Sequence, residues 1–226
     1  MAEKLRHIDL SHIIEDGMIT YKGFPAPVIC DYLSREESRN RYDAGTEFQI
    51  GKIEMIANTG TYIDSPFHRY PDGIDISELS LDSLVGVECI VVRIDEDVTS
   101  IGPDCFNDLD FCGKAFLVNT RWDRHWRTDP YFENHPHLVE ASARRLVEGE
   151  AILVGIDSFN IDSVTNGARP VHSVLLGSGI PIIEHMCNLA QVPETGARLT
   201  AAPIAVRGMG SFPVRAFATI PEGGLR

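Results

Sequence analysis

The chain reads as a single α/β domain on a mixed β-sheet with few helices, and three observations predict this. Apolar runs of strand length recur ("FQIGKIEMIA", "ECIVVRID", "KAFLVNT", "AILVGID", "IPIIEHM" and "APIAVRGMG"), and most of them end in a turn signal. Segments with a helical period are fewer. At 226 residues the chain can bury a large core, and no repeat or Pro/Gly/Ser-rich linker divides it, so residues 1–226 form one domain.

Taken in order, the first informative run is "IGKIEMIA", followed by "NTGTYIDSPFHRYPDG". A strand over residues 53–64 places Asn58, Gly60, Tyr62 and Asp64 on one face. Gly60 then leaves a gap where a ligand or ion could reach the backbone. Ser65 suits a helix N-cap and Pro66 the first helical position, so a short turn brings His68 near Asp64. That pair reads as an acid/base couple or, equally, as a turn cap with a surface histidine.

"SLDSLVG" and "VEASARRLVEGE" (139–150) carry the 3.6-residue period and polar face of surface helices, and "AILVGID" follows as a buried strand. Residues 119–138, "NTRWDRHWRTDPYFENHPHL", have little apolar periodicity and read as a loop. Their aromatic residues either line a small-molecule pocket or close over the core or a subunit interface. In "RPVHSVLLGSGIPIIEHMCNL" (169–189), Glu184 interrupts a strand-like run. A carboxylate so placed needs a partner, which is either functional or an arginine such as Arg169 or Arg215.

Composition narrows the function classes. A formal net charge of −13 argues against a nucleic-acid surface, which needs clustered Lys and Arg. Five cysteines without a CxxC pair favour reduced thiols over disulfides or a cysteine zinc site. The start "MAEKLRHIDLSHII" lacks the apolar core of a signal peptide, and no apolar run reaches the roughly 18–20 residues of a membrane span. The expectation is a cytoplasmic protein acting on a small molecule.

Residues 58–68 read N-T-G-T-Y-I-D-S-P-F-H. This resembles the H-x-G-T-H-x-D-x-P-x-H signature of the cyclase-like metal-dependent hydrolases, the family of bacterial kynurenine formamidase and isatin hydrolase. "IDLSH", "YKGFPAP", "LVNTRWDRHW", "GIDSFNID", His172 with Glu184 twelve residues later, and "FPVRAFA" fall in the family's order, so the likeness spans nearly the whole chain. The resemblance implies a swivelling β/β/α fold, a homodimer or homotetramer, and metal-assisted hydrolysis of a C–N bond in an aryl formamide or cyclic amide. It also implies one metal held by the two signature histidines and the aspartate. A second site is completed by the downstream histidine and glutamate, and the last signature histidine handles protons.

Asn58 and Tyr62 stand where the two metal-binding histidines would be, whereas Asp64, His68, His172 and Glu184 match. An amide oxygen and a phenol are weak ligands, so the first metal site is expected to be absent. Asp64, His172 and Glu184 are expected to hold one divalent ion (Mn, Zn or Mg) that polarises a carbonyl and acidifies a water molecule. His68 would then move the proton, Asn58 or Tyr62 would bind substrate, and Trp122 and Trp126 would stack on a planar ring. The alternatives are a metal-free His68–Asp64 acid/base enzyme and a binding protein without catalysis.

Overall fold

The computed structural model describes residues 4–221. A nine-stranded mixed sheet forms its frame, in the order β1-β13-β11-β5-β7-β9-β10-β4-β12. The strands are β1 (Leu5–Asp9), β4 (Tyr62–Asp64), β5 (Val87–Arg93), β7 (Ala115–Asn119), β9 (Leu153–Ile156), β10 (Ile182–Glu184), β11 (Ala197–Thr200), β12 (Ser211–Pro213) and β13 (Phe217–Pro221). β2 (Val28–Leu33) pairs with β3 (Ile50–Glu54) in a separate hairpin, and β6 (Ser100–Ile101) with β8 (His137–Leu138). Three α-helices occur among the described residues: α1 (Arg35–Ser38), α2 (Glu140–Glu148) and α3 (Pro170–Gly177).

β5, β7, β9 and β10 run parallel, and the flanking pairs are antiparallel. Every residue of β7 and β9 is buried, as expected for parallel strands covered on both faces. Alternation divides their side chains between two cores. Cys89, Val91, Leu117, Leu153 and Ile183 meet Ile8, Leu199, Ala218 and Ile220 from the strands curling over that face. Ile90, Val92, Phe116, Val118, Val154 and Ile156 pack against Ala143 and Leu146 of α2 and Val171, Leu175 and Leu176 of α3. The result is the expected strand–strand–helix layering. Among the described residues no helix is long and apolar enough to cross a membrane.

Several expected elements differ. Residues 53–64 are not one strand: β3 stops at Glu54 with every residue exposed, and pairing resumes only at Tyr62. Gly60 breaks the run by taking a φ of +68°, and a Cβ there would lie 3.0 Å from Ile14 Cγ1. The expected ligand gap at Gly60 is therefore filled by Ile14. "APIAVRGMG" forms no strand, and "SLDSLVG" makes only a 3₁₀ turn at Leu81–Ser83. The turn at Pro66–His68 does form, but the Ser65 hydroxyl donates to the Gly210 carbonyl (3.1 Å) and does not cap it.

Candidate active site

The site forms where β10 ends between β4 and helix α3. β4 and β10 are antiparallel, with Asp64 opposite Ile182 and Tyr62 opposite Glu184, so Tyr62, Asp64 and Glu184 share one face. On the other side of β4, Ser211 of β12 stands opposite Asp64. His172 enters from the first turn of α3. A cavity of about 280 Å³ is lined by Tyr62, His68, His172 and Glu184, together with Asn58, Asn160 and Tyr21.

Asp162 builds the α3 corner. Its carboxylate accepts the backbone N–H groups of Val171 and His172 (2.9 Å each), supplying the partners that the free N–H groups of a helix start require. It also accepts His172 Nδ1 at 2.7 Å, which puts that proton on Nδ1 and turns Nε2 toward the cavity. Burial would raise Asp162, but these hydrogen bonds hold its carboxyl below the usual carboxylate range.

Nε2 of His172 faces two carboxylates, Asp64 Oδ2 at 3.7 Å and Glu184 Oε1 at 3.6 Å. Burial disfavours charge on His172, yet Asp162, Asp64 and Glu184 outweigh it and push the imidazole up to about 10. Burial, reinforced by the Asp64 charge, raises the Glu184 carboxyl against the pull of His172. Neither Arg169 nor Arg215 pairs with Glu184: Arg169 bonds Asn160 Oδ1 (2.9 Å) and Arg215 bonds Asp9 (2.7 Å). Glu184 instead accepts the Ile161 N–H (2.6 Å), the Tyr62 hydroxyl and the Asn160 amide (3.3 Å). Among the described residues, Asp64 Oδ2 is buried without a hydrogen-bond partner.

Ser211 organises the opposite wall. Its hydroxyl donates to Asp64 Oδ1 and receives His68 Nδ1 (2.9 Å) and Asn58 Nδ2 (3.2 Å). The hydroxyl's single proton goes to Asp64, so Nδ1 of His68 must bring its own, and Nε2 is left as the free ring nitrogen. The order His–Ser–Asp also removes Ser211 as a nucleophile, because its proton points at the carboxylate and not at the imidazole. His68 Nδ1 lies 3.8 Å from Asp64, close as expected, but Ser211 stands between them.

Tyr62 carries the rest of the wall. Its hydroxyl bonds Glu184 and the Tyr21 hydroxyl (2.8 Å), and Tyr21 receives the Asn160 amide (3.3 Å). Burial and the Glu184 charge drive the Tyr62 phenol well above its ordinary range, so it is a neutral donor.

The structure thus brings Asn58, Tyr62, His68, His172 and Glu184 to one cavity, with Asp64 buried beside His172. Asn58 reaches it from a loop and not from the expected strand. It does not bring Trp122 and Trp126 there: Trp122 donates its indole N–H to the Tyr131 carbonyl (3.0 Å), and Trp126 stacks on His12 at 3.9 Å. The Asp157 carboxylate accepts the N–H groups of Thr120 (2.8 Å) and Arg121 (2.9 Å), which turns their loop against the core. Sequence reasoning missed Tyr21, Asn160, Asp162 and Ser211. "YKGFPAP" and "GIDSFNID" contained three of them, whereas nothing around Ser211 signals its place.

The Cyclase family model matches residues 8–163. The chain belongs to this family. Among curated Cyclase-like relatives, kynurenine formamidase of Bacillus cereus is 29% identical over 209 residues, 92% of this chain and 95% of that protein. The kynurenine formamidase of Salinibacter ruber is also 29% identical, over 78% of this chain and 82% of its own length. A solved structure described as a potential metal-dependent hydrolase with cyclase activity superposes with a TM-score of 0.79 at 26% identity, covering 97% of this chain and all of that one. Isatin hydrolase A from Labrenzia aggregata shares the fold (TM-score 0.80, 22% identity, 96% and 94% covered).

Proposed function

We propose that this Cyclase-family chain is a hydrolase of small amides, an aryl formamide or cyclic amide, working with one divalent cation held by Asp64, His172 and Glu184. The observation that carries this reading is the orphaned Asp64 Oδ2, a buried carboxylate oxygen facing the cavity-side nitrogen of His172. Donors around a common tetrahedral ion sit about 3.3–3.5 Å apart. The 3.6 and 3.7 Å separations at His172 Nε2 lie just above that spacing. Among the described residues the cluster whose ligand atoms all lie within 4.8 Å of one another is Asp64, His68 and His172, which leaves Glu184 out, so Asp64 and His172 are the ligands common to both sets. An oxygen-rich set with imidazole suits Mn²⁺, Zn²⁺ or Mg²⁺.

When bound there, such an ion supplies Lewis acidity toward the amide carbonyl and toward a water molecule. The chain's own groups do the rest. His68, with Nδ1 fixed on Ser211, exchanges a proton at Nε2 and delivers it to the leaving nitrogen. Asp162 anchors His172 through Nδ1, so that Nε2 is the ring nitrogen turned toward the site. Asn58, whose amide nitrogen is engaged by Ser211, keeps its carbonyl oxygen for substrate.

The test is elemental analysis of protein purified without chelator, followed by assays on formanilides, cyclic amides and lactones with added Mn²⁺ or Zn²⁺. We expect at most one tightly bound ion per chain, and loss of hydrolysis on chelation. Two ions surviving dialysis, or retention of the ion in a H172A/E184A double variant, would overturn the assignment.

The same reading extends to assembly and compartment. The β2–β3 hairpin exposes Val28, Ile29, Tyr32, Ile50 and Ile53. A lone two-stranded hairpin is marginal in water, so this face supports a homodimer or homotetramer, which light scattering on the purified chain tests. Five free cysteines support a reducing, cytoplasmic setting.

A further inference from the structure

At three steps the chain puts a short acid or amide before glycine: Asp16–Gly17, Asp72–Gly73 and Asn166–Gly167. At each, the glycine nitrogen can approach the preceding side-chain carbonyl, because glycine has no Cβ to obstruct it. The fold treats the three differently. Gly17 N–H donates to the Pro27 carbonyl (2.9 Å) and Gly73 N–H to the Tyr70 carbonyl (2.9 Å), so both nitrogens are tied into the backbone. The Ile29 N–H also holds Asp16 Oδ1 (2.8 Å), and a Cβ on Gly73 would lie 2.6 Å from the Pro66 backbone carbon. Gly167 is exposed, and nothing lies within 4 Å of the point its Cβ would occupy. Among the described residues no hydrogen bond engages its N–H.

Asn166 is set for attack as well. It lies exposed on the loop between Asp162 and helix α3. Its Oδ1 accepts the Ala168 N–H (3.0 Å), an Asx turn that lays the side-chain carbonyl along the next peptide. That N–H polarises Cγ and stands where it stabilises the oxyanion formed when Cγ is attacked. Among the described residues Nδ2, the leaving group, has no hydrogen-bond partner.

We propose that Asn166 is a site of spontaneous covalent modification, at which the Gly167 nitrogen displaces ammonia from the Asn166 side chain, and that the isoaspartyl product loosens the start of α3. The Gly167 amide gives its proton to solvent base, the new N–Cγ bond forms, and the Cγ–Nδ2 bond breaks as ammonia leaves. The resulting succinimide takes up one water molecule at either carbonyl. Opening at Cγ leaves an aspartate in the ordinary chain. Opening at the backbone carbonyl leaves an isoaspartyl link, which routes the chain through the side chain and lengthens it by one methylene. Nothing is oxidised or reduced.

The consequence falls on α3. The Asn166 carbonyl accepts the Arg169 N–H (3.3 Å), and Arg169, left-handed at φ 47°, opens the helix that carries His172. The Arg169 carbonyl in turn accepts the Ser173 N–H (3.0 Å). In the isoaspartyl product the carbonyl that held Arg169 becomes a carboxylate hanging off the main chain. The first turn of α3 then loses that restraint. This goes beyond the hydrolase reading and needs none of it.

Peptide mapping by mass spectrometry tests it. Folded wild type and Gly167→Ala are incubated at mildly alkaline pH beside wild type unfolded in guanidinium chloride. Folded wild type should convert Asn166 to aspartate and isoaspartate at a rate comparable to the unfolded chain and proportional to hydroxide concentration. Asp16 and Asp72 should isomerise only in the unfolded chain. Gly167 has open space around it and no left-handed φ, so Gly167→Ala keeps the fold while its methyl group slows ring closure. An Asn166 that stays intact in the folded protein while unfolded chains convert would overturn the proposal, as would an undiminished rate in Gly167→Ala. The isoaspartyl form, separated by ion exchange, is then compared with fresh wild type and Asn166→Asp by amide hydrogen exchange. The Ser173 amide should exchange faster in the isoaspartyl form alone, because Asn166→Asp adds the charge without the altered link. Equal exchange in all three, or equal acceleration in Asn166→Asp, would overturn the coupling to α3.

Discussion

The two halves of the cavity solve the problem of buried polar groups in opposite ways. On the His172 side, Asp64 Oδ2 has no hydrogen-bond partner among the described residues, and two carboxylates converge on one imidazole nitrogen. On the Tyr62 side, phenols and amides close on themselves: Tyr21 to Tyr62, Tyr62 to Glu184, and Asn58 to Ser211. A buried polar atom left unpaired is costly, and on the proposed reading the divalent ion completes the first half. The second half is complete without it. Asn58 and Tyr62 thus belong to a neutral hydrogen-bonded wall and not to an empty socket.

The sharpest way to break that contrast is His68, which touches the site through Ser211 but is not needed to satisfy the carboxylates. His68→Ala should lower kcat by about 10²- to 10⁴-fold while metal content, read by elemental analysis, stays unchanged. If the ion leaves with the imidazole, the ligand set is Asp64, His68 and His172, and the proton must move by another route.

A smaller effect is expected one step further back. Asp162→Asn keeps the shape but weakens the grip on His172 Nδ1 and on the helix start. Metal affinity measured by competition with a chromogenic chelator should drop by about 10- to 100-fold. An unchanged affinity would mean that the packing of α3 alone orients the imidazole.

The neutral half is tested by Tyr62→Phe. The change strips Glu184 of one donor and leaves the Tyr21 hydroxyl short of a partner. Stability from urea unfolding should fall by about 1–3 kcal/mol, with the ion count still at one or below. A fully stable variant would show that this wall is not held by its hydrogen bonds.

A last check lies outside both halves. His135 is 3% exposed, and burial depresses its imidazole to about 4. Its neutral form is the folded one, so its contribution is complete above the unfolded value of about 6.5 and is lost as pH falls from there toward 4. His135→Gln should flatten the pH dependence of the unfolding free energy in that window by at most about 1.4 kcal/mol per pH unit. Parallel pH curves for variant and wild type would place the proton elsewhere.

The sequence by itself determined the class of the fold and the charged residues of the site. Buried parallel strands such as β7 and β9 need continuous apolar runs, and "KAFLVNT" and "AILVGID" declare them locally. Asp64, His68, His172 and Glu184 were legible because charge in an apolar or turn setting is conspicuous and their spacing resembles a family signature. Only the tertiary structure decided what completes them. Residues 53–64 alternate like a strand, yet the φ of +68° at Gly60, with Ile14 packed against it, breaks the run. Trp122 and Trp126 look like a substrate wall, but Asp157, 35 residues after Trp122, pulls their loop onto the core. Ser211 stands beside Asp64 through the pairing of β12 with β4, across 147 residues of chain. A hydroxyl carries no local signal of its partner. Its role is fixed by register between distant strands, which depends on how two packed faces meet and not on the residues next to it.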